Sequence, residues 1–197
     1  VLHRVPEAFL EAGQPDDPDR AAQLLLQITD RVLAEDVPWP GMRAVWRARM
    51  AEIARPFVER LLAEGATPVV LERKYQVEIP GLGFTLVGKP DRIDRDAEGR
   101  VTIVDYKTGA PPSLPQQDKF AKQLDLAAGM AALGAFPELG PVTEARTTYL
   151  GLKPGLKEVT RHRSEEDIAR ILQEFTALVL AYRDPDQGYT ARRAVFD

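Results

Sequence analysis

The stretch Gly88–Gly109, GKPDRIDRDAEGRVTIVDYKTG, decides how the rest of the chain is read. Its centre, Asp96-Ala97-Glu98-Gly99-Arg100, is a turn signal: an Asp able to hold the backbone of a tight loop, then a Gly free to turn left-handed. On the far side, VTIV supplies the β-branched residues of a strand. With Ala97-Glu98-Gly99 as the loop, Asp96 pairs with Arg100, and counting outward sets Asp91 directly opposite Asp105. Opposed residues of an antiparallel ladder share a face, with Cβ atoms roughly 5 Å apart. Two carboxylates so placed repel, and a divalent cation between them reverses the sign of that interaction. Lys107 projects from the same face as Asp105, while Tyr106 points the other way.

That set suits a metal-dependent hydrolase. Acidic ligands hold Mg²⁺ while leaving it open to water and a phosphate oxygen, and a nearby ammonium orients the water or stabilises developing charge. Pro90 cannot donate to the ladder and marks a place where the register can shift through a bulge. A plain hairpin, with Asp91 and Asp94 capping one end and Lys107 paired to a neighbour, explains each residue singly but not their joint spacing.

The whole chain bounds this reading. Its 197 residues carry 26 Lys and Arg against 30 Asp and Glu, for a net charge of −4, which argues against a basic sleeve around nucleic acid. Between Ala145 and Arg163, however, Arg146, Lys153, Lys157, Arg161 and Arg163 face a single acid, Glu158. Such a strip fits a polyanion held beside a metal, and equally a solvated strand edge. Cysteine is absent, which excludes disulfides, zinc–thiolate sites and cysteine-ligated clusters within this chain and fits a cytoplasmic setting. No apolar run approaches the roughly 18 residues of a membrane span, and Val1-Leu2-His3-Arg4 does not open a signal peptide. The lack of an initiating Met leads us to expect one domain over residues 1–197 excised from a longer polypeptide, with residues 1–65 a helical lead-in and 66–197 a sheet core with flanking helices.

Patterning gives the expected elements. VLHRVPEAFLEAG reads as a helix if Pro6 falls in its first turn, and Asp17-Pro18 as an N-cap and first helical position. A long amphipathic helix ends at Gly65 and bends near Pro56. TPVVLERKYQVEI, GFTLVGKPDRID and RVTIVDYKT read as three strands, and DKFAKQLDLAAGMAALGAF as a helix capped by Asp118. Two further strands and a helix opened by Ser164 and Asp167 complete a mixed α/β fold with a central sheet between helices.

These residues carry a resemblance. The chain resembles the PD-(D/E)xK nuclease superfamily in its RecB-like branch, whose signature is G-x-x-D-R-I-D followed by D-Y-K-T-G. Gly88 to Asp94 and Asp105 to Gly109 match both motifs in full. The likeness covers nearly the whole chain, and within the branch it is greatest to the C-terminal nuclease domain of AddB, a subunit of bacterial AddAB helicase–nucleases that process double-strand breaks. The resemblance implies a restriction-endonuclease-like core and an exonuclease that hydrolyses phosphodiester bonds with Mg²⁺, for which Mn²⁺ can substitute. Its metal ligands would be His3, Asp91, Asp105 and the backbone carbonyl of Tyr106, with Lys107 activating water. His3, Glu7 and Phe9 fit the H-x-x-L-E-x-F pattern of an N-terminal helix, although Pro6 stands where Leu is usual. Gln123 matches the Gln of a Q-x-x-x-Y helix motif that borders the active site, and Ala127 replaces its Tyr.

The implied partners are single-stranded DNA ends, an AddA-like helicase–nuclease subunit and the rest of the chain's own polypeptide, with no membrane. The rival reading is a nuclease fold kept as a DNA-binding or subunit-docking module without activity. Around the core set, Glu72 reads as an exposed strand face, or else as a group behind the ligands. Arg92 and Asp94 read as a brace for the hairpin, Lys119 and Lys122 as a solvated helix face within reach of phosphates, and Trp39 and Trp46 as core or subunit contacts. His162 reads as surface. There is no Walker A pattern, so no ATP site of that kind is expected.

Overall fold

The structure, a computed structural model, describes residues 2–188. It opens with α1 (Arg4–Glu11), α2 (Pro18–Asp36) and α3 (Pro40–Glu64), and continues through β1 (Thr67–Leu71), β2 (Tyr75–Ile79), β3 (Phe84–Gly88), β4 (Arg92–Arg95) and β5 (Val101–Lys107). Then come α4 (Leu114–Lys119), α5 (Gln123–Ala132), β6 (Ala145–Gly151), β7 (Glu158–Arg163) and α6 (Glu165–Ala181).

Each long helix buries one stripe. In α2 it is Ala21, Leu25, Ile28, Thr29, Val32 and Leu33, and in α3 it is Met50, Ile53, Ala54, Phe57, Val58 and Leu61. Asp17 caps α2 by accepting from the Arg20 N–H, with Pro18 in the first turn, and Pro6 falls in the first turn of α1, where a missing N–H removes no helical bond. Helix α3 continues through Pro56, whose exposed position lets the carbonyl that loses its donor turn to water.

The main sheet has five strands in the order β1-β4-β5-β6-β7. All neighbours are antiparallel except β5 and β6, whose parallel crossover passes through α4 and α5. Alternation splits its side chains between two cores. Val104, Tyr106 and Leu150 turn toward α1–α3, whereas Val101, Ile103 and Tyr149 turn toward α5 and Ile168 of α6. A central mixed sheet between helical layers, entered through helices, is the restriction-endonuclease-like architecture expected from the sequence.

Three boundaries differ from expectation. Residues 67–79 form two strands, because Glu72 takes a left-handed φ of 44° and turns the chain. Residues 84–94 likewise break around Pro90, so β2 and β3 pair with each other in a separate two-stranded sheet, Tyr75 opposite Gly88 and Ile79 opposite Phe84. Apolar alternation runs across both breaks, which hides them in the sequence. The excursion folds onto α5 and α6: a Cβ on Gly88 would lie 2.7 Å from Met130 Sδ, and Phe84 meets Phe175 edge-on with centroids 5.7 Å apart. Finally, Asp118 is no cap. It lies inside α4 and pairs with Arg161, while Ser113 and Gln116 form the capping box that starts α4, and α5 begins afresh at Gln123. Ser164 and Asp167 do form the capping box of α6.

Gly151 closes the end of β6 against the segment that follows β5. A Cβ there would meet Gly109 O at 3.0 Å, Pro111 Cδ at 3.1 Å and Lys157 O at 3.4 Å. Backbone oxygens cannot rotate away, so Gly151→Ala should cost about 1–3 kcal/mol, read as a lower urea midpoint at unchanged slope.

Candidate active site

The β4–β5 hairpin holds the expected register. Arg92 stands opposite Val104, Asp94 opposite Thr102 and Arg95 opposite Val101, and the Asp96 N–H reaches Arg100 O at 3.1 Å across a turn with Gly99 at φ 82°. One further step along that ladder sets Asp91, just ahead of β4, opposite Asp105. Asp91 Oδ2 accepts from the Tyr106 N–H at 2.8 Å, which fastens the hairpin end to β5.

Other elements converge on this pair. His3, at the start of α1, puts Nδ1 3.4 Å from Asp91 Oδ2. Glu72, at the turn after β1, donates its N–H to Asp91 O at 3.1 Å and forms an ion pair with Lys89. His3, Glu72 and Asp91 each offer a ligand atom, all within 4.8 Å of one another. Asp105 lies beside that trio, buried, with Lys107 Nζ 2.6 Å from its Oδ2. The contact is off the axis of a good hydrogen bond, so this buried oxygen retains accepting capacity. Lys107 Nζ also lies 3.4 Å from Gln123 Oε1 and 5.3 Å from the centroid of the Tyr149 ring.

Electrostatics follow from burial and these neighbours. Burial drives the Asp91 carboxyl upward, but hydrogen bonds from His3 and from the Tyr106 N–H outweigh it and hold the group below the usual carboxylate range. The bond to Asp91 is also the main reason His3 is raised above an ordinary imidazole. Asp105 goes the other way: burial pushes it up, the Asp91 charge adds to that, and Lys107 only partly opposes it. Burial lifts the neighbouring Tyr149 phenol to about 12, so it stays a neutral donor. One imidazole nitrogen among closely set carboxylates is a donor set that fits a divalent cation, whose charge removes the repulsion between the acids.

The opposite face of the hairpin is a brace. Buried Arg92 donates from Nε to Asp94 Oδ2 at 2.8 Å, from Nη1 to Tyr106 Oη at 2.9 Å and from Nη2 to Glu64 Oε2 at 3.1 Å. Asp94 Oδ1 is buried without a hydrogen-bond partner, and Asp94 lines a polar cavity of about 420 Å³ with Arg60, Thr102 and Thr148.

Several expectations need correction. Glu72 is not an exposed strand face: its side chain is only 11% accessible, because the left-handed turn at that residue swings it toward His3 and Asp91. Nothing in the local pattern announces that turn; the only signal was an acid on the strand preceding the hairpin. Trp39 is 69% exposed and not core, whereas Trp46 packs partly buried against the helical core. Two members of the basic strip are held internally, Arg163 buried against Asp125 at 2.5 Å and Arg161 against Asp118 at 2.6 Å, while Arg146 and Lys157 are exposed. His162 is surface, as expected, 3.5 Å from Glu144. Ala127 is buried and lines a cavity of about 130 Å³ that also touches Asp91, Asp105 and Gln123.

Against this geometry the family model of the PD-(D/E)XK nuclease superfamily matches residues 1–193. The chain belongs to that superfamily, which carries nuclease chemistry on DNA with divalent metals. No curated protein matches it. Among the described residues no helix is long and apolar enough to cross a membrane.

If the trio holds an ion, millimolar Mn²⁺ should raise the melting temperature of the wild type, and Glu72→Gln should lose most of that rise while the exposed-loop control Glu98→Gln keeps it. The metal-free protein makes a separate test. A raised imidazole means the folded state holds the proton more tightly than the unfolded chain, so the stabilisation from His3 is complete below about pH 6.5 and is lost as pH rises through the raised value. The lowered Asp91 contributes above about pH 4 and loses its share as pH falls through its own value. The stability difference between wild type and His3→Ala in urea should therefore be larger at pH 5.5 than at pH 8.

Proposed function

We propose that this chain is a Mg²⁺-dependent deoxyribonuclease domain of the RecB-like kind, degrading DNA from single-stranded ends. The observation that carries this reading is the placement of Lys107 on the face shared by Asp91 and Asp105, in contact with Gln123. Asp91, Asp105, His3, Glu72 and the Tyr106 carbonyl are the groups that would hold the ion. When bound, it would polarise the phosphodiester and lower the pKa of the attacking water.

The chain's own residues supply the rest. The Tyr106 N–H fixes Asp91 Oδ2, the same oxygen that lies 3.4 Å from His3 Nδ1. The Asp105 carboxylate and Gln123 Oε1 flank the Lys107 ammonium beside the Tyr149 ring, which leaves N–H donors for a water or a phosphate oxygen. Lys89 sits at the mouth of the same cleft and adds positive charge for the substrate backbone. The match to both RecB-like motifs supports a place in an AddB-type subunit working beside an AddA-like partner on broken DNA ends in double-strand break repair.

Lys107→Ala should lower Mg²⁺-dependent degradation of end-labelled single-stranded DNA at least a hundredfold while thermal unfolding is unchanged. Wild-type protein should release short products from the labelled end, and EDTA should stop it. Full activity in the folded Lys107→Ala protein rejects the mechanism.

A further inference from the structure

Phe120 lies in the corner between α4 and α5 with 68% of its surface in water. The corner itself is tightly held. The Phe120 N–H reaches Gln116 O at 2.8 Å, the Ala121 N–H shares that oxygen at 3.0 Å, and Lys122 N donates to Phe120 O at 3.0 Å. Ala121 O in turn accepts from Tyr149 Oη at 3.0 Å. Tyr149 stands opposite Asp105 in the β5–β6 ladder, and its ring is the one that Lys107 Nζ overlies. Three residues after Phe120, Gln123 touches Lys107 itself. A large apolar ring is thus left in solvent on a support bonded to the floor of the candidate site.

Two lysines flank this corner. Lys119 is exposed and has no ion-pair partner among the described residues, and Lys122 is only 3.7 Å from Asp125 in a partly exposed pair. Beyond β5, Arg49 of α3 donates to Thr108 O at 3.3 Å, one residue past Lys107. An exposed aromatic among cations beside a phosphodiester site is the arrangement that grips single strands: charge tracks the phosphates, and a base stacks on the ring whatever its identity. Within a duplex the base faces are already stacked on their neighbours.

We propose that Phe120 is a stacking platform for a base of the strand entering the site and selects single-stranded over duplex DNA. The inference rests on the nuclease reading above. The full chain is titrated, in EDTA to prevent cleavage, against a fluorescent twelve-residue oligothymidylate and against a closed dumbbell duplex that has no ends. Phe120→Ala should weaken oligothymidylate binding by roughly five- to a hundredfold and leave the dumbbell within about twofold. Phe120→Trp should restore the affinity, and neither change should shift thermal unfolding. Unaltered oligothymidylate binding by Phe120→Ala, in a protein that still degrades single strands with Mg²⁺, overturns the stacking role alone and leaves the ring to a protein contact. Equal loss on both probes overturns it too. Wild-type protein that neither binds nor degrades either DNA removes the nuclease reading and this inference with it.

Discussion

Two carboxylates held opposite one another at the end of a hairpin, Asp91 and Asp105, impose the constraint that organises this protein. Like charges at that separation, both largely removed from water, destabilise the strand end that carries them. The fold offsets this from three directions. The Tyr106 N–H grips Asp91 from the paired strand, the His3 imidazole approaches from the first helix, and the Lys107 ammonium lies against Asp105. Because His3 comes from the start of the chain, the acids also tie the beginning of α1 to the sheet.

Strand alternation divides the same hairpin into two jobs. Asp91, Asp105 and Lys107 occupy one face, while Arg92, Asp94 and Tyr106 occupy the other under α3. A slip of one residue would send the guanidinium of Arg92 to the acidic face and the acids into the helical core. The buried Arg92 network therefore excludes the competing register, whatever its net contribution to stability. It also fixes the backbone of the strand whose end presents Asp91.

The second layer adjusts the mouth of the site. Gly88 lets the β2–β3 excursion approach Met130, and Gln123 opens α5 against Lys107. Tyr149 links the floor of the site to the corner that carries Phe120. Ala127 leaves room beside the carboxylates, where a larger side chain would fill the cavity that Asp91 and Asp105 border. Small residues at these positions decide how closely helix and hairpin can flank the acids.

What the sequence determined by itself was local and periodic. The turn at Asp96–Arg100 sets the pairing, pairing sets which residues face each other, and a strand's period of two puts Asp91, Asp105 and Lys107 together. The helical stripes of α2 and α3 and the caps at Asp17 and Ser164 were legible for the same reason: each depends on neighbours within a few residues. Only the tertiary structure decided where the apparently continuous strands break, because the turn at Glu72 and the kink at Pro90 are held by contacts with α5 and with Asp91. The same long-range contacts brought Glu72 in beside His3 and left Phe120 facing solvent. Alternation encodes which side of a strand a residue occupies, but not which distant element arrives to meet it.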